Sequence, residues 1–115
     1  MGLSSSQEVD MNSAEAKYVE NVIHDNCVVV FSKTTCPYCR MAKQALDDLQ
    51  AKYEVVELNK RSDGHKLQLI LSQMTGARTV PRVFIQGRCI GGGTETRSLH
   101  QSGKLEPMLR ECGAI

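Results

Sequence analysis

Cys36 and Cys39 stand three residues apart in the run Val28-Val29-Val30-Phe31-Ser32-Lys33-Thr34-Thr35-Cys36-Pro37-Tyr38-Cys39. Two thiols at that spacing can share a disulfide, supply half of a zinc site, or pass electrons to and from other thiols. The β-branched residues before them read as a strand and the pattern after them as an amphipathic helix, so the pair belongs to a strand–loop–helix unit. Proline suits the first helical position, because its missing N–H would be unpaired there anyway. Cys36 therefore falls at the helix N-terminus, where orphan N–H groups and the helix dipole stabilise a thiolate. Cys39 falls one turn further in, where packing shields it and keeps it less acidic. Cys36 is the expected nucleophile and Cys39 the resolving thiol, with Lys33 placing a positive charge nearby.

The other readings of the pair are weaker. A structural zinc site needs four ligands, usually from two such pairs or from one pair and spaced histidines. This chain has one pair, and His24, His65 and His100 lie far from each other in sequence. No metal ligands are expected. A purely structural bridge between Cys36 and Cys39 would close too short a loop to stabilise much. Thiol–disulfide chemistry fits best, because a Cys-x-x-Cys within a β–α unit is its specific context.

The surrounding periodicity predicts the elements that must hold this unit. A first helix runs from Asn12 or Ser13 to about His24, with Asn12 and Glu15 spaced as a cap pair and Val19, Val22 and Ile23 on one face. Residues 27–31 are apolar without alternation, as in a central strand covered on both faces. On the helix opened by Pro37, Met41, Ala42, Ala45, Leu46 and Leu49 form a buried stripe, while Arg40, Lys43, Asp47 and Asp48 face water. A second strand fits residues 53–58. After Ser62-Asp63-Gly64 a further helix buries Leu67, Ile70, Leu71 and Met74.

The period then changes. Strands over residues 82–85 and 88–90 flank Gln86-Gly87, a two-residue hairpin signal. Gly91-Gly92-Gly93 follows, and short helices over 95–101 and 104–112 close the chain. The first two strands, joined through a helix, should be parallel, and the last two antiparallel. The expected fold is α/β: a four-stranded mixed sheet with helices on both faces and an extra N-terminal helix. One domain over residues 12–115 follows a flexible tail, residues 1–11.

Composition narrows the function classes. The chain has 115 residues, a net charge of +1 and interspersed charges, with neither a nucleic-acid stripe nor a polybasic membrane patch. No apolar stretch approaches membrane-spanning length. Five cysteines, an odd count at uneven spacing, argue against a secreted disulfide scaffold. The N-terminus shows no basic region followed by an apolar one and no arginines of a mitochondrial transit peptide, so a cytoplasmic location is expected. Gly2 followed by Ser6 fits the short pattern for N-myristoylation, although a Ser-rich tail matches so short a pattern easily. A single acyl chain without a basic patch would hold a membrane only marginally.

Three stretches in order, Lys33-Thr34-Thr35-Cys36-Pro37-Tyr38-Cys39, Arg78-Thr79-Val80-Pro81 and Gly91-Gly92-Gly93-Thr94-Glu95, closely resemble the signatures of the dithiol glutaredoxins. Asp25-Asn26-Cys27 and Met74-Thr75-Gly76 look most like the vertebrate glutaredoxin 2 group. The resemblance implies the thioredoxin fold and a glutathione-dependent thiol–disulfide oxidoreductase that reduces protein–glutathione mixed disulfides and protein disulfides. The implied potential is about −200 to −230 mV. The implied co-substrate is glutathione, regenerated indirectly through glutathione reductase, and the implied state is a monomer.

The resemblance also implies a glutathione site. Val80-Pro81 resembles the family's cis-proline turn, which would offer the Val80 backbone to the cysteinyl part of glutathione. Lys33, Gln68 and Arg78 match positions that contact the glycine carboxylate, with Thr79 between them and the turn. Gly92, Gly93, Thr94 and Glu95 lie where the family captures the γ-glutamyl end, and Tyr38 would flank the bound sulfur. The family usually has Asp where this chain has Glu95, which leaves a side-chain contact to the γ-glutamyl amine in question. Cys27 and Cys112 match cysteines that pair in the vertebrate group, enclosing 85 residues, worth about 4 kcal/mol by loop entropy. A reducing compartment weighs against that bridge. Cys89 has no assigned role.

One rival function is a binding module in which Cys36 of two subunits, with two glutathiones, holds a [2Fe–2S] cluster. In the group resembled, that property goes with serine where this chain has Pro37, so catalysis ranks first.

Overall fold

The computed structural model describes residues 9–115. Gly2 and the first eight residues of the expected tail lie outside the described residues. Of the remainder, Val9 and Met11 rest against the core.

The first helix, α1, spans Ala14–Asp25. Ser13 caps it, its Oγ accepting the Ala16 N–H at 3.1 Å. Asn12 does not take that role, because its own N–H is drawn back to Asp10 Oδ1 at 2.8 Å. The strand β1, Val28–Ser32, begins and ends one residue later than predicted, and all five residues are buried. Its alternate side chains serve two cores. Val29 and Phe31 pack towards α1, and Phe31 meets Phe84 edge-on at 5.7 Å between ring centroids. Val28 and Val30 point to the opposite face.

That opposite face is covered by α2, Pro37–Asp48, whose Ala42, Ala45 and Leu46 are buried. The strand β2, Glu54–Glu57, pairs parallel with β1 and runs into a 3-10 turn, Leu58–Lys60. The helix α3, Gly64–Thr75, joins α1 on the Phe31 side through Leu67, Ile70 and Leu71. Met74, predicted to share that stripe, is 39% exposed. Its turn is the last of α3, ended by Gly76 in the left-handed conformation (φ 77°), and reaches beyond the core.

β3, Arg82–Ile85, lies antiparallel to β1, and β4, Arg88–Gly91, antiparallel to β3. The hairpin residues Gln86 (φ 51°) and Gly87 (φ 80°) are both left-handed, the twist that a two-residue hairpin requires. The strand order is therefore β2-β1-β3-β4. The last helices, α4 at Gly93–Gln101 and α5 at Leu105–Glu111, lie on the α2 side, where Leu105 and Leu109 enter the second core. This is the thioredoxin fold with an added N-terminal helix, the architecture expected from the sequence. Cys27 and Cys112 are disulfide-bonded with Cα atoms 6.0 Å apart, tying the start of β1 to the chain's end.

Candidate active site

The two central thiols meet different environments because the chain turns from strand to helix between them. Cys36 caps α2 with an extended backbone (φ −97°, ψ 119°) and no side-chain capping bond. Its N–H donates to the Lys33 carbonyl at 3.1 Å, and its own carbonyl accepts from Cys39 and Arg40 at 3.1 and 3.2 Å. The loop is held from outside by Asn59, which accepts the Thr34 N–H at 3.1 Å and donates to Thr34 Oγ1 at 2.7 Å. The Cys36 sulfur is left half-buried at the helix end, whereas Cys39 is fully buried.

Electrostatics separate the thiols further. Partial burial alone would raise the Cys36 pKa, but the Cys39 N–H, the Cys39 thiol, the Tyr38 N–H and the Arg40 charge outweigh it, and the thiol is more acidic than an ordinary cysteine. Burial dominates at Cys39 and pushes it up, although the Lys33 N–H, 3.4 Å from its sulfur, and the Ser32 hydroxyl pull the other way. The cation acting on Cys36 is thus Arg40, one helical turn on, rather than Lys33. Lys33 contributes its backbone to Cys39 instead.

Val80, 44 residues after Cys36 in sequence, and Pro81 complete the site. Their peptide bond is cis, and the Cys36 sulfur lies 3.7 Å from the Val80 carbonyl oxygen. Pro81 is buried, while Arg78 and Thr79 are exposed beside it. Gln68 is brought to the same segment: its Nε2 donates to the Arg78 carbonyl at 2.8 Å. Among the described residues neither Lys33 nor Arg78 forms an ion pair, so both charges remain open. Tyr38 is 55% exposed next to Cys36.

The glycine stretch borders the thiols on the other side. Gly93 is buried against α2, where an added Cβ would stand 2.3 Å from the Tyr38 carbonyl oxygen. At Gly92 a Cβ would meet the Arg82 guanidinium at 2.9 Å. Glu95 turns back over this segment, and its Oε1 accepts the Gly92 N–H at 2.7 Å. That N–H, with Glu95's own, holds its carboxyl below the usual carboxylate range; the nearby Arg82 charge adds to the effect. Thr96, fully buried, donates from Oγ1 to the Gly92 carbonyl at 2.8 Å. Thr94 is exposed at the helix start.

Sequence reasoning did not find Ser32, Arg40, Asn59, Arg82 or Thr96. Arg40 had a usable signal, since it follows Cys36 by one helical turn. The others depend on strand pairing or loop packing, which spacing does not reveal. Cys89, half-buried, has the Arg82 guanidinium 3.9 Å from its sulfur. Among the described residues no three His, Cys, Asp or Glu side chains are grouped as metal ligands.

The glutaredoxin family model matches residues 28–90. A mitochondrial glutaredoxin-2 of Pongo abelii is 46% identical over 109 residues, covering 95% of this chain and 68% of its own length. A glutaredoxin of Vernicia fordii is 52% identical over 96 residues, 84% of this chain and 92% of that protein. A crystal structure of a buckwheat glutaredoxin–glutathione complex superposes with a TM-score of 0.86 at 43% identity, covering 98% of this chain and 99% of the other. Animal and plant members match equally well, so the vertebrate subgroup is not singled out. The cytoplasmic expectation is overturned, because the mammalian relatives are mitochondrial glutaredoxin-2 proteins. It rested on the count and spacing of the cysteines and on the composition of the first residues. An acidified cysteine at a helix end, a buried partner thiol, a cis-proline turn facing them and these matches agree: the chain belongs to the glutaredoxin family of glutathione-using thiol–disulfide oxidoreductases.

Proposed function

We propose that the protein reduces protein–glutathione mixed disulfides through Cys36 alone and protein disulfides through Cys36 followed by Cys39. The observation that carries this reading is the contrast between the two thiols: one half-exposed and acidified, the other buried with its pKa raised. The Cys36 thiolate attacks the glutathione sulfur of a mixed disulfide and releases the protein thiol. A second glutathione then attacks that sulfur, frees Cys36 and leaves as oxidised glutathione, which glutathione reductase returns to the thiol. With a protein disulfide, Cys36 forms the mixed disulfide and Cys39 resolves it.

Glutathione fits the groove between the Val80-Pro81 turn and the start of α4. The Val80 backbone pairs with the cysteinyl unit, and Tyr38 lies along the sulfur. Lys33, Arg78 and Gln68 hold the glycine carboxylate, with Thr79 lining that end. Gln68 reaches it from its bond to the Arg78 carbonyl. Gly92, Gly93 and Thr94 border the γ-glutamyl end. Glu95 shapes that end through its bond to Gly92 rather than by reaching out. Within the family, Asp25-Asn26-Cys27, Met74-Thr75-Gly76 and the Cys27–Cys112 bond support a place beside the vertebrate glutaredoxin 2 group. The working unit is a monomer.

Cys36→Ser and Cys39→Ser, compared in a glutathione-coupled assay on a glutathionylated peptide, test the reading. Cys36→Ser is expected to abolish turnover and Cys39→Ser to retain it. Activity surviving in Cys36→Ser would overturn the assigned nucleophile.

A further inference from the structure

The chain between β1 and α2 is a tight turn bonded to both cysteines. The Lys33 carbonyl accepts the Cys36 N–H at 3.1 Å, which closes the turn over residues 33–36. The N–H of the same Lys33 donates to the Cys39 sulfur at 3.4 Å. The placement of Lys33 therefore sets where Cys36 enters the helix and supplies Cys39 with a backbone donor. Thr34 is half-buried and Thr35 exposed, so core packing does little to hold the turn.

One side chain from the far end of β2 grips it instead. Asn59 lies in the 3-10 turn Leu58–Lys60 that follows that strand. Its Oδ1 accepts the Thr34 N–H at 3.1 Å and its Nδ2 donates to Thr34 Oγ1 at 2.7 Å. A carboxamide suits this grip, because it carries an acceptor and a donor side by side. The base of Asn59 is itself fixed. Leu58 is buried in the core shared by α1 and α3, and a Cβ added to Gly64 would clash with the Leu58 carbonyl. Arg61 is held by Asp63 at 2.8 and 3.1 Å and lies over the Tyr18 ring of α1, 4.4 Å from its centroid. The bonds to Thr34 thus tie the thiol turn to a segment anchored on α1 and α3.

We propose that Asn59 is a positioning residue: by gripping Thr34 it holds the Lys33–Cys36 turn in the one arrangement that serves both thiols. The proposal rests on the roles given above to Cys36 and Cys39 and adds no chemical step to them. With the grip in place, Cys36 stays over the first N–H groups of α2, which stabilise its thiolate. The Lys33 N–H stays on Cys39 at the same time. Without the grip, Thr34 and Thr35 sample other turns and Cys36 spends less time over those donors. Its sulfur is then less ionised and less well aimed at the Val80-Pro81 turn. Asn59 is exposed, so water competes for both bonds, and their loss loosens the turn without unfolding the domain. A merely structural pair of bonds would change stability and leave the ionisation of Cys36 where it is.

The test compares substitutions that remove the grip in steps. Asn59→Ala removes both bonds, Thr34→Val removes the side-chain bond alone, and Thr34→Ser keeps both. Ser13→Ala, which removes the cap of α1, controls for lost stability. The readouts are the pH profile of Cys36 alkylation by iodoacetamide, followed by peptide mass, and kcat and KM for a glutathionylated peptide. In Asn59→Ala the alkylation midpoint is expected to rise and kcat/KM at neutral pH to fall about three- to tenfold. Thr34→Val shifts both readouts less and in the same direction, while Thr34→Ser stays close to wild type. Ser13→Ala leaves the midpoint in place. Thr34→Val added to Asn59→Ala brings no further loss, because the bond it would remove is already gone. A wild-type alkylation profile in Asn59→Ala, an equal shift in Ser13→Ala, or full additivity in the double variant would overturn the positioning role. Activity surviving in Cys36→Ser would instead overturn the assigned nucleophile, whatever Asn59→Ala shows.

Discussion

Gly93 and the Tyr38 carbonyl are packed so closely that no side chain fits between them: a Cβ on Gly93 would stand 2.3 Å from that oxygen. This contact joins the first turn of α4 to the first turn of α2, so the Gly92-Gly93 segment and the thiols are one packed unit.

Gly93→Ala therefore forces the two helix starts apart. Overpacking of this kind costs about 1 to 3 kcal/mol. The expected result is a lower urea midpoint with an unchanged slope, together with reduced kcat/KM for a glutathionylated peptide. Stability loss without loss of activity would show that α4 can shift without disturbing Cys36.

The acidity of Cys36 gives a second prediction. Partial burial opposes ionisation, and the N–H groups of Cys39 and Tyr38, the Cys39 thiol and the Arg40 charge overcome it. The pH midpoint for iodoacetamide modification of Cys36 should lie below that of an ordinary cysteine, about 8.5. Arg40→Met, which removes the cation and leaves the backbone donors, should move the midpoint up. Lys33→Met should leave it nearer the wild-type value.

The contrast in burial and acidity between Cys36 and Cys39 was legible in the sequence because Pro37 and the β-branched run from Val28 set the helix start, and the helix start sets the acidity. The hairpin at Gln86-Gly87 was legible for a similar local reason. Gly93 was not, since a glycine beside a site reads equally as room for a ligand or room for a neighbouring helix. Thr34 and Asn59 lie 25 residues apart, and only the pairing of β1 with β2 brings them together. Lys33 looked like the cation for Cys36 because it is near in sequence, but a helical turn places Arg40 better. Met74 has the right period for burial, which says which face it lies on and not where the core ends.

The Cys27–Cys112 bond encloses most of the domain, with a sequence separation of 85. Loop entropy assigns it about 4 kcal/mol. Cys27→Ser/Cys112→Ser should lower the denaturant midpoint accordingly while leaving Cys36 alkylation unchanged. A stability change below about 1 kcal/mol would mean that the unfolded chain is little freer without the bond.

Glu95 carries the last prediction, a pH dependence. Its carboxylate accepts the Gly92 N–H at 2.7 Å, and that bond leads the causes that lower its folded-state pKa from 4.5. The unfolded chain therefore binds the proton more tightly than the folded one. The contribution is fully present above the unfolded pKa and is lost as pH falls through the lower, folded value. Because Glu95 is exposed, solvent screening limits it to roughly 0.5 to 1 kcal/mol. Glu95→Gln, which keeps an acceptor oxygen but no titration, should lose less stability than wild type between pH 6 and pH 3. Glu95→Ala, which removes the acceptor, should be destabilised at pH 6 and converge on wild type in acid. Parallel pH profiles for all three proteins would show that the Glu95–Gly92 bond contributes nothing to the stability of α4.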